Sequence, residues 1–339
     1  MQDMKLSSQV LLPWHKNLWE RMTAKVQRNK LPHALLFTGI VGIGKRHFAE
    51  YFAAYLLCQE RTETAICGKC KNCQLFAAGH HPDFLQVVPE GKVNTIRVDT
   101  IRELTVWSTQ SAYANGYKVV IIDPPEAMNM AASNSLLKTL EEPVGQTIFI
   151  LVSASPIQLP ATVRSRCQII KFMNTQKEHS KEWLKSQIDP EIDPVFLLHL
   201  AHGAPLKALQ IADPVQLQAR KDLLIDLVGL FLKERDPLEV AARWQKSDLS
   251  WMLQHLYALL MDLVKITLGA AASDLYHYDV AEQLFPVAEH VRQSQLLVMQ
   301  DKVQEAYQAN IERFNVNVQL LLEDIFIEIY QRVTQVNTL

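Results

Sequence analysis

The chain has 339 residues, with 34 lysine and arginine residues against 36 aspartate and glutamate residues and a formal charge of −2. This length is enough for two or three domains with their own cores, and it excludes a single small fold. The charge balance lacks the strong basic excess of a stand-alone nucleic-acid binder, so contact with DNA is expected to be local or shared with partners.

The N-terminal half of the chain alternates strand-like and helix-like segments. Its first twenty residues mix charged side chains with only a short apolar run, so we expect no cleaved signal peptide. Short apolar runs, typical of strands buried on both faces, occur at residues 34–37, 84–88, 119–122, 148–152 and 167–170. Helical spacing lies between them, at residues 45–58, 98–109 and 131–140. The alternation predicts a mostly parallel sheet covered by helices.

A glycine-rich loop, residues 39–45 (GIVGIGK), follows the first predicted strand and precedes a predicted helix. This is the context of a phosphate-binding loop, in which backbone N–H groups wrap an anion at a helix N-terminus. The candidate nucleotide ligands are Gly39, Gly42, Gly44 and Lys45, with the lysine reaching the outer phosphates. The next residue should be Ser or Thr, whose hydroxyl holds Mg²⁺, but it is Arg46, which repels a metal ion. A glycine turn without a ligand therefore stays an equal alternative.

Four cysteines lie within sixteen residues: Cys58, Cys67, Cys70 and Cys73. Soft sulfur ligands in a tetrahedral set suit Zn²⁺, and with all four positions filled the zinc is predicted to be structural. An iron–sulfur cluster, two disulfides and unligated thiols are the weaker alternatives. Cysteines clustered in this way favour a metal site in a reducing compartment, so we expect a cytoplasmic protein.

The strand at residues 119–122 delivers Asp123 to the position of the acidic group that supports magnesium in phosphate-loop proteins. A glutamate that polarises water follows this residue in proteins that hydrolyse ATP, whereas this chain has Pro124. Glu126 lies two residues further on, and that offset is expected to aim its carboxylate elsewhere. The chain is therefore predicted not to hydrolyse ATP by itself. Whether it binds ATP stays open.

The longest uncharged stretch, residues 144–163, is interrupted by Pro156 and Pro160. It is therefore predicted to be a buried strand followed by a loop, not a membrane span. Ser153, at the end of that strand, is expected to cap a backbone group.

The remainder of the chain is predicted to be helical, with leucines recurring at helical spacing. Residues 195–209, divided by Gly203 and Pro205, predict a compact helical subdomain. Further apolar faces, which indicate a core or in part an oligomer interface, occur at residues 223–232, 253–268 and 318–329. We predict three domains: a nucleotide-binding-like domain, 1–173, with an inserted zinc module, 58–73; a helical lid, 174–213; and a helical collar for oligomerisation, 214–339.

Several motifs occur in the order found in bacterial clamp-loader subunits: residues 32–37 (PHALLF), the phosphate loop, residues 121–124 (IIDP), residues 136–143 (LLKTLEEP) and residues 165–167 (SRC). The chain thus resembles the AAA+ clamp-loader family over residues 1–210, and residues 315–324 resemble its collar segment. The resemblance implies an α/β AAA+ P-loop domain with a parallel sheet, a small helical lid and an all-α C-terminal collar. It also implies a five-membered ring, with gamma/tau-type motor subunits and a delta-type subunit, that opens a sliding clamp and places it on primed DNA.

In this family the SRC motif presents its arginine to ATP bound by the adjacent subunit. Arg166 is therefore predicted to be catalytic in trans, since a guanidinium stabilises charge on the transferred phosphoryl group. A surface arginine or an intrachain ion pair is the alternative. Leu206 stands where active relatives carry a second sensor arginine, and together with Arg46 and Pro124 it favours a non-hydrolysing subunit.

Two other hypotheses remain. An ATP-hydrolysing motor subunit of the same complex would share the fold and the zinc module, but it should carry Ser or Thr at position 46 and Glu at position 124. A zinc-containing DNA-binding protein is poorly supported by the near-neutral charge and the lack of an aromatic and basic stripe.

Overall fold

The computed structural model describes residues 10–89, 95–113, 116–143, 145–173, 177–311 and 317–334. The chain divides into two compact units, Met1–Gln210 and Ile211–Leu339. The domain boundary predicted at residue 174, and Asn315 and Val316 of the predicted collar segment, lie outside the described residues. Among the described helices, none is both long enough and apolar enough to cross a membrane.

A parallel sheet organises the first unit. Its strands among the described residues are β1 (Ala34–Thr38), β2 (Phe84–Val87), β3 (Lys118–Ile122), β4 (Thr147–Ser153) and β5 (Gln168–Lys171). They are ordered β2-β3-β4-β1-β5, and every neighbouring pair is parallel. The strands β1, β3 and β4 are buried along their whole length, which explains why each is a continuous apolar run. The predicted α/β class with a parallel sheet is confirmed.

Helices cover both faces of the sheet: α1 (Lys16–Gln27), α2 (Lys45–Leu57), α3 (Lys71–Ala77), α4 (Val98–Thr109) and α5 (Met130–Glu141). Side chains alternate along a strand, so Leu35 and Phe37 join one core while Leu36 joins the core on the opposite face. The first core contains Phe48 of α2, and the second contains Leu136 of α5. Because parallel strands end at one edge, the residues that follow β1, β3 and β4 are brought together there.

The segment after β4 is not the plain loop that the sequence predicts. It contains a 3₁₀ turn (Pro156–Gln158) and a short helix, α6 (Ala161–Arg164), before β5. Proline has a backbone torsion angle suited to the start of a helix and needs no N–H partner there. Pro156 accordingly opens the 3₁₀ turn, and Pro160 directly precedes α6.

Three further helices complete the described part of the first unit: α7 (Lys177–Lys185), α8 (Pro194–Leu200) and α9 (Pro205–Ile211). Gly203, with a φ of 81°, separates α8 from α9, as its position in the sequence predicts. Trp183 of α7 and Leu206 of α9 pack against the core that contains Phe48. The predicted lid helices therefore share a core with the sheet.

The second unit is helical throughout its described residues. Its helices are α10 (Pro214–Phe231), α11 (Pro237–Trp244), α12 (Leu249–Thr267), α13 (Ala281–Glu289), α14 (Gln293–Ile311) and α15 (Val318–Thr334). One apolar core takes side chains from all of them, including Leu227, Leu260 and Phe326. The apolar faces predicted in the collar thus bury a core within this unit. The α/β domain followed by helical segments agrees with the predicted fold class.

Candidate functional site

The phosphate loop lies at the carboxyl edge of the sheet, between β1 and α2. Gly42 and Gly44 have φ angles of 81° and 95°, a backbone conformation that favours glycine. The helix α2 begins at Lys45, directly after the loop. The backbone therefore has the strand, glycine turn and helix that the sequence predicts.

Side chains and backbone from two other segments hold this loop. The indole N–H of Trp14 donates to the carbonyl of Ile43 at 2.9 Å, and the N–H of Leu206 donates to the carbonyl of Gly42 at 3.0 Å. A Cβ atom at Gly42 would lie only 2.5 Å from Cβ of Lys207, so glycine permits the close approach of α9. The residue at the predicted second sensor position, Leu206, thus contacts the loop through its backbone.

Lys45 is buried and bonded to the loop itself. Its Nζ donates to the carbonyls of Gly39 and Ile40, at 2.6 Å and 3.0 Å. Burial lowers the pKa of Lys45, while the charges of Asp123 and Glu126 oppose that shift. A phosphate that enters the loop must therefore compete with the loop carbonyls for this ammonium group.

Arg46 lies beside the acidic residue that the sequence predicts as a magnesium support. Its Nε is 3.0 Å from Oε1 of Glu50 and 3.7 Å from Oδ2 of Asp123. Burial raises the pKa of Asp123, and the charges of Arg46 and Lys45 lower it. Magnesium requires oxygen ligands in near-octahedral geometry, whereas this position supplies a guanidinium. The residues present do not fit a magnesium ion here.

Glu126 is engaged with the end of β4. Its Oε1 accepts hydrogen bonds from the hydroxyl of Ser153 and, at 2.9 Å, from the N–H of Ser155. Its Oε2 is buried with no hydrogen-bond partner among the described residues. A strand-end serine usually caps a backbone group, whereas the Ser153 hydroxyl donates to the carboxylate of Glu126. One carboxylate oxygen is therefore occupied at the end of β4.

Arg166 lies between α6 and β5 and forms an intrachain ion pair. Its Nε donates to Oε1 of Glu141 at 2.6 Å, its Nη2 donates to the same oxygen, and its Nη1 donates to the carbonyl of Thr162 at 2.8 Å. The side chains of Arg166 and Glu141 are 31% and 47% exposed. Water reaches both groups, so the pair is screened and contributes little to stability. The ion pair that the sequence leaves as an alternative is present in the single chain.

The four clustered cysteines converge between the end of α2 and the start of α3. All are free thiols, and their Sγ atoms lie within 4.8 Å of one another. The Sγ of Cys58 is 3.5 Å from that of Cys67 and 3.9 Å from that of Cys70, and Cys67 is 3.8 Å from Cys73. Zinc–sulfur bonds of about 2.3 Å set tetrahedral sulfur atoms about 3.8 Å apart. The cluster therefore has the geometry to hold one metal ion.

The surroundings of this cluster suit thiolate ligands. The backbone N–H groups of Cys67 and Cys70 point at the Sγ atoms of Cys58 and Cys67, at 3.4 Å and 3.2 Å. Such N–H dipoles stabilise negative charge on sulfur. The amide of Asn72 donates to the carbonyl of Leu57 at 2.8 Å, which ties α3 to the end of α2.

Sequence reasoning did not identify the partners of the two arginines. The pairing of Arg46 with Glu50 could have been predicted, because side chains four residues apart on a helix are neighbours. Glu141 lies 25 residues before Arg166, and no local spacing connects them. The contact of Arg46 with Asp123 likewise depends on the order of the strands.

Two protein-family models match the chain. One, described as DNA polymerase III, delta subunit, matches residues 14–176. The other, described as DNA polymerase III, delta subunit, C terminal, matches residues 214–331. The first model matches residues of the first compact unit, and the second model matches residues of the second unit.

Similar curated proteins carry the name DNA polymerase III subunit delta'. The protein from Pseudomonas aeruginosa is 33% identical over 320 residues, which cover 94% of this chain and 97% of that relative. The protein from Escherichia coli is 31% identical over 318 residues, which cover 94% of each. A DNA polymerase III subunit tau/gamma from Haemophilus influenzae is 31% identical over 212 residues, which are 60% of this chain and 30% of that protein.

Proposed function

The chain belongs to the family of DNA polymerase III delta-prime subunits, and we propose that it is a non-hydrolysing subunit of the replicative clamp loader. In this role it helps to place the sliding clamp on primed DNA. It also supplies Arg166 to ATP that a neighbouring subunit binds. The chain contributes to ATP hydrolysis by another subunit without hydrolysing ATP itself.

The state of Arg166 is the observation that carries this proposal. Its guanidinium is partly exposed and uses two donors on a single oxygen of Glu141. A phosphoryl group offers the same kind of acceptor with more charge, so it can take the place of that carboxylate. The exchange requires a neighbouring subunit, which makes correct assembly a condition for catalysis.

The chain's own phosphate loop supports the same division of labour. Pro124 supplies no general base, and one oxygen of Glu126 is already bonded to Ser153 and Ser155. Hydrolysis requires a base within hydrogen-bond reach of the attacking water. The motor-subunit alternative requires a base at position 124 and a metal ligand at position 46, and this chain has neither.

We also propose that the four-cysteine cluster holds a structural Zn²⁺. Four thiols at tetrahedral separations fill a zinc coordination sphere and leave no position for a reactive water. The ion would fix the loop between α2 and α3. When bound, it supplies folding free energy and no catalytic chemistry.

The proposed partners are gamma/tau-type motor subunits and a delta-type subunit in a pentameric ring, and through the ring the sliding clamp and primed DNA. The proposed domains remain residues 1–173, 174–213 and 214–339, with the last as the oligomerisation collar. The proposed location is the cytoplasm, where replication takes place and thiols stay reduced.

ATP hydrolysis by the isolated full-length chain and by the reconstituted complex tests this function. We expect no turnover above background from the chain alone, with or without primed DNA. The complex should hydrolyse ATP rapidly only when the chain is included. Turnover by the isolated chain would instead identify an ATP-hydrolysing subunit, and a complex that works equally well without the chain would exclude the proposed role.

A further inference from the structure

We infer that Arg46 is a built-in replacement for the divalent metal ion of a phosphate-loop site. Its guanidinium lies between Glu50 and Asp123, where it supplies the positive charge that Mg²⁺ supplies in an ATP-hydrolysing protein. The inference rests on the proposed function only in expecting no hydrolysis by this chain. It concerns which ions the loop accepts, and therefore how the site responds to magnesium.

The position of Arg46 follows from the local fold. It is the second residue of α2, directly after Lys45, and so projects from the first turn of the helix at the loop. Asp123 follows β3, which is separated from β1 only by β4. The parallel order brings the two residues to one edge of the sheet, where Nε of Arg46 is 3.7 Å from Asp123 and 3.0 Å from Glu50.

Two of the three negative charges in this region are neutralised without an added ion, which leaves a single negative charge. Two cations, Lys45 and Arg46, face the three carboxylates of Glu50, Asp123 and Glu126. The Asp123 side chain is only 18% exposed, so its charge is less screened than that of a surface carboxylate, whereas the Arg46 side chain is 50% exposed. A divalent ion would have to displace the guanidinium from Asp123 or tolerate its repulsion.

This arrangement has a consequence for ligand binding. In a metal-dependent site the hydroxyl after the lysine and the acidic residue hold Mg²⁺, which bridges the phosphates and tightens nucleotide binding. With Arg46 in that place, Mg²⁺ gains no protein ligands from this site. Any affinity of this loop for ATP should therefore be the same with and without the metal.

Substitutions of Arg46 separate the roles of charge and ligand. Arg46→Thr removes the cation, supplies a hydroxyl and leaves Asp123 available to a metal. Arg46→Ala removes the cation without adding a ligand, and Arg46→Lys keeps a positive charge as the matched control. Binding of ATP to each full-length protein would be measured by calorimetry in excess MgCl₂ and in excess EDTA, after thermal unfolding has verified that each variant is folded.

We expect the wild-type chain and Arg46→Lys to show no gain from magnesium, whether they bind ATP weakly or not at all. Arg46→Thr should bind ATP about tenfold more tightly with magnesium than with EDTA, and Arg46→Ala should show a smaller gain. The inference is wrong if the wild-type chain gains as much from magnesium as Arg46→Thr does. It is equally wrong if folded Arg46→Thr and Arg46→Ala gain nothing.

These results do not depend on the role of Arg166. Magnesium dependence is measured on the isolated chain, whereas the arginine acts on a neighbour in the assembled complex. Failure of the inference about Arg46 would leave the subunit function standing. Equal ATP hydrolysis by the complex with and without the chain would exclude the subunit function. It would not change the magnesium dependence of ATP binding by the isolated chain.

Discussion

Two arginines with different exposure and different partners distinguish the two sites of this chain. Arg46 lies in the first turn of α2, directly after the phosphate loop, and pairs with Glu50 and Asp123. Arg166 lies before β5 and is held by Glu141 alone among acidic groups of the described residues. The first arginine occupies a site, while the second has donors that can be redirected to a ligand. On the proposed function, a substitution at Arg166 should therefore affect ATP hydrolysis by a neighbouring subunit.

Replacing Arg166 with Ala should leave assembly of the complex intact and lower DNA-stimulated ATP hydrolysis. An arginine supplied in trans typically accelerates phosphoryl transfer by about a thousandfold or more, so turnover at the one neighbouring site should nearly stop. The measurement is single-turnover hydrolysis by the reconstituted complex, with assembly verified by gel filtration. Arg166→Lys should recover little, because an ammonium lacks the planar fork of donors.

A matched control for this experiment is Arg102→Ala. Arg102 lies on α4 and, like Arg166, makes an exposed ion pair within the chain, with Asp99 at 3.0 Å. Its loss should not change ATP hydrolysis. Normal turnover in Arg166→Ala would remove Arg166 from the mechanism and leave the ion pair with Glu141 as its role.

A buried histidine beside the phosphate loop should make the first unit sensitive to acid. The ring of His15 is buried and packs edge-on against Phe48 and Phe172. Burial, and then the neighbouring His47, lower the pKa of His15 from 6.5 to about 3. His15 is therefore neutral in the folded chain at any pH above about 3.

The sign of the pH effect follows from proton binding. Below pH 6.5 the unfolded chain takes up a proton at His15 that the folded chain does not, so stability falls as pH falls towards 3. At pH 5 this group should account for a loss of about 2 kcal/mol relative to pH 8. In urea unfolding, His15→Phe should lose about 2 kcal/mol less stability between pH 8 and pH 5 than the wild-type chain does. An equal loss in the variant and the wild-type chain would contradict the assignment.

An exposed histidine provides the control for this measurement. His80 is exposed, and His80→Phe measures how the replacement of a surface histidine by phenylalanine changes the pH dependence. The comparison uses the difference between two pH values within each variant. It is therefore insensitive to any change in packing that the phenylalanine ring introduces at either position.

Secondary-structure elements were predictable where burial or periodicity determined them. The apolar runs of β1, β3 and β4 predicted strands within one residue of their observed ends, because strands buried on both faces need no polar alternation. Both ends of the helix α4 were predicted correctly. The helix α10 begins at Pro214, nine residues before its predicted apolar face, because Asp213 caps Val215 and the residues before Leu223, apart from Arg220, are exposed or half-buried.

Contacts between elements were less predictable. The loop and the cysteine cluster are local in sequence, so their spacing contained the geometry that the structure shows. The hydrogen bond from Leu206 to Gly42 joins residues on α9 and the phosphate loop. Only the packing of the lid helices on the core brings these residues together, and single-sequence periodicity carries no such information.

The contact of α9 with the phosphate loop should make Gly42 intolerant of a side chain. An added Cβ would lie 2.5 Å from Cβ of Lys207 and 2.7 Å from its nitrogen. We expect Gly42→Ala to lower the free energy of unfolding by roughly 2–4 kcal/mol, from the left-handed φ and the collision together. Urea denaturation monitored by tryptophan fluorescence measures this change.

Gly203 offers a control with the same backbone conformation. Its φ is also 81°, but an added Cβ would meet no atom within 4 Å. Gly203→Ala should therefore lower the free energy of unfolding by only about 1–2 kcal/mol, the strain of a side chain at a left-handed φ. Equal losses for the two variants would show that the lid does not press on the loop as the distances indicate.

The cysteine cluster should bind metal as a unit. Replacing Cys70 with Ser removes one ligand, and we expect the zinc content to fall from one equivalent to nearly none, because structural sites require all four ligands. Elemental analysis and thermal unfolding would measure metal content and stability. Chelation of the wild-type protein should lower its melting temperature similarly.

Cys167 provides the matched control for the zinc experiment. It is a buried free thiol outside the cluster, and burial raises its pKa to about 11. Cys167→Ser should therefore retain the metal. Purified wild-type protein without zinc, whose clustered thiols all react freely, would overturn the assignment of a metal centre.

The candidate sites of the chain are concentrated in one of its two compact units. Both candidate sites and the cysteine cluster lie in the unit Met1–Gln210, while the unit Ile211–Leu339 has one apolar core built from its own helices. The charges of the chain nearly cancel, at 34 positive against 36 negative residues. A near-neutral chain lacks the overall basic excess that favours DNA binding by the chain alone.

The isolated full-length chain should accordingly bind primed DNA only weakly. Non-specific DNA affinity comes from neutralised phosphates, and a chain with a net charge of −2 should bind with a dissociation constant weaker than about 10⁻⁴ M at physiological salt. The reconstituted complex should bind much more tightly, because several subunits then face the duplex together. Fluorescence anisotropy of a labelled primer-template at two salt concentrations would compare the DNA affinity of the isolated chain with that of the complex. Tight, steeply salt-dependent binding by the chain alone would favour the zinc-containing DNA-binding alternative.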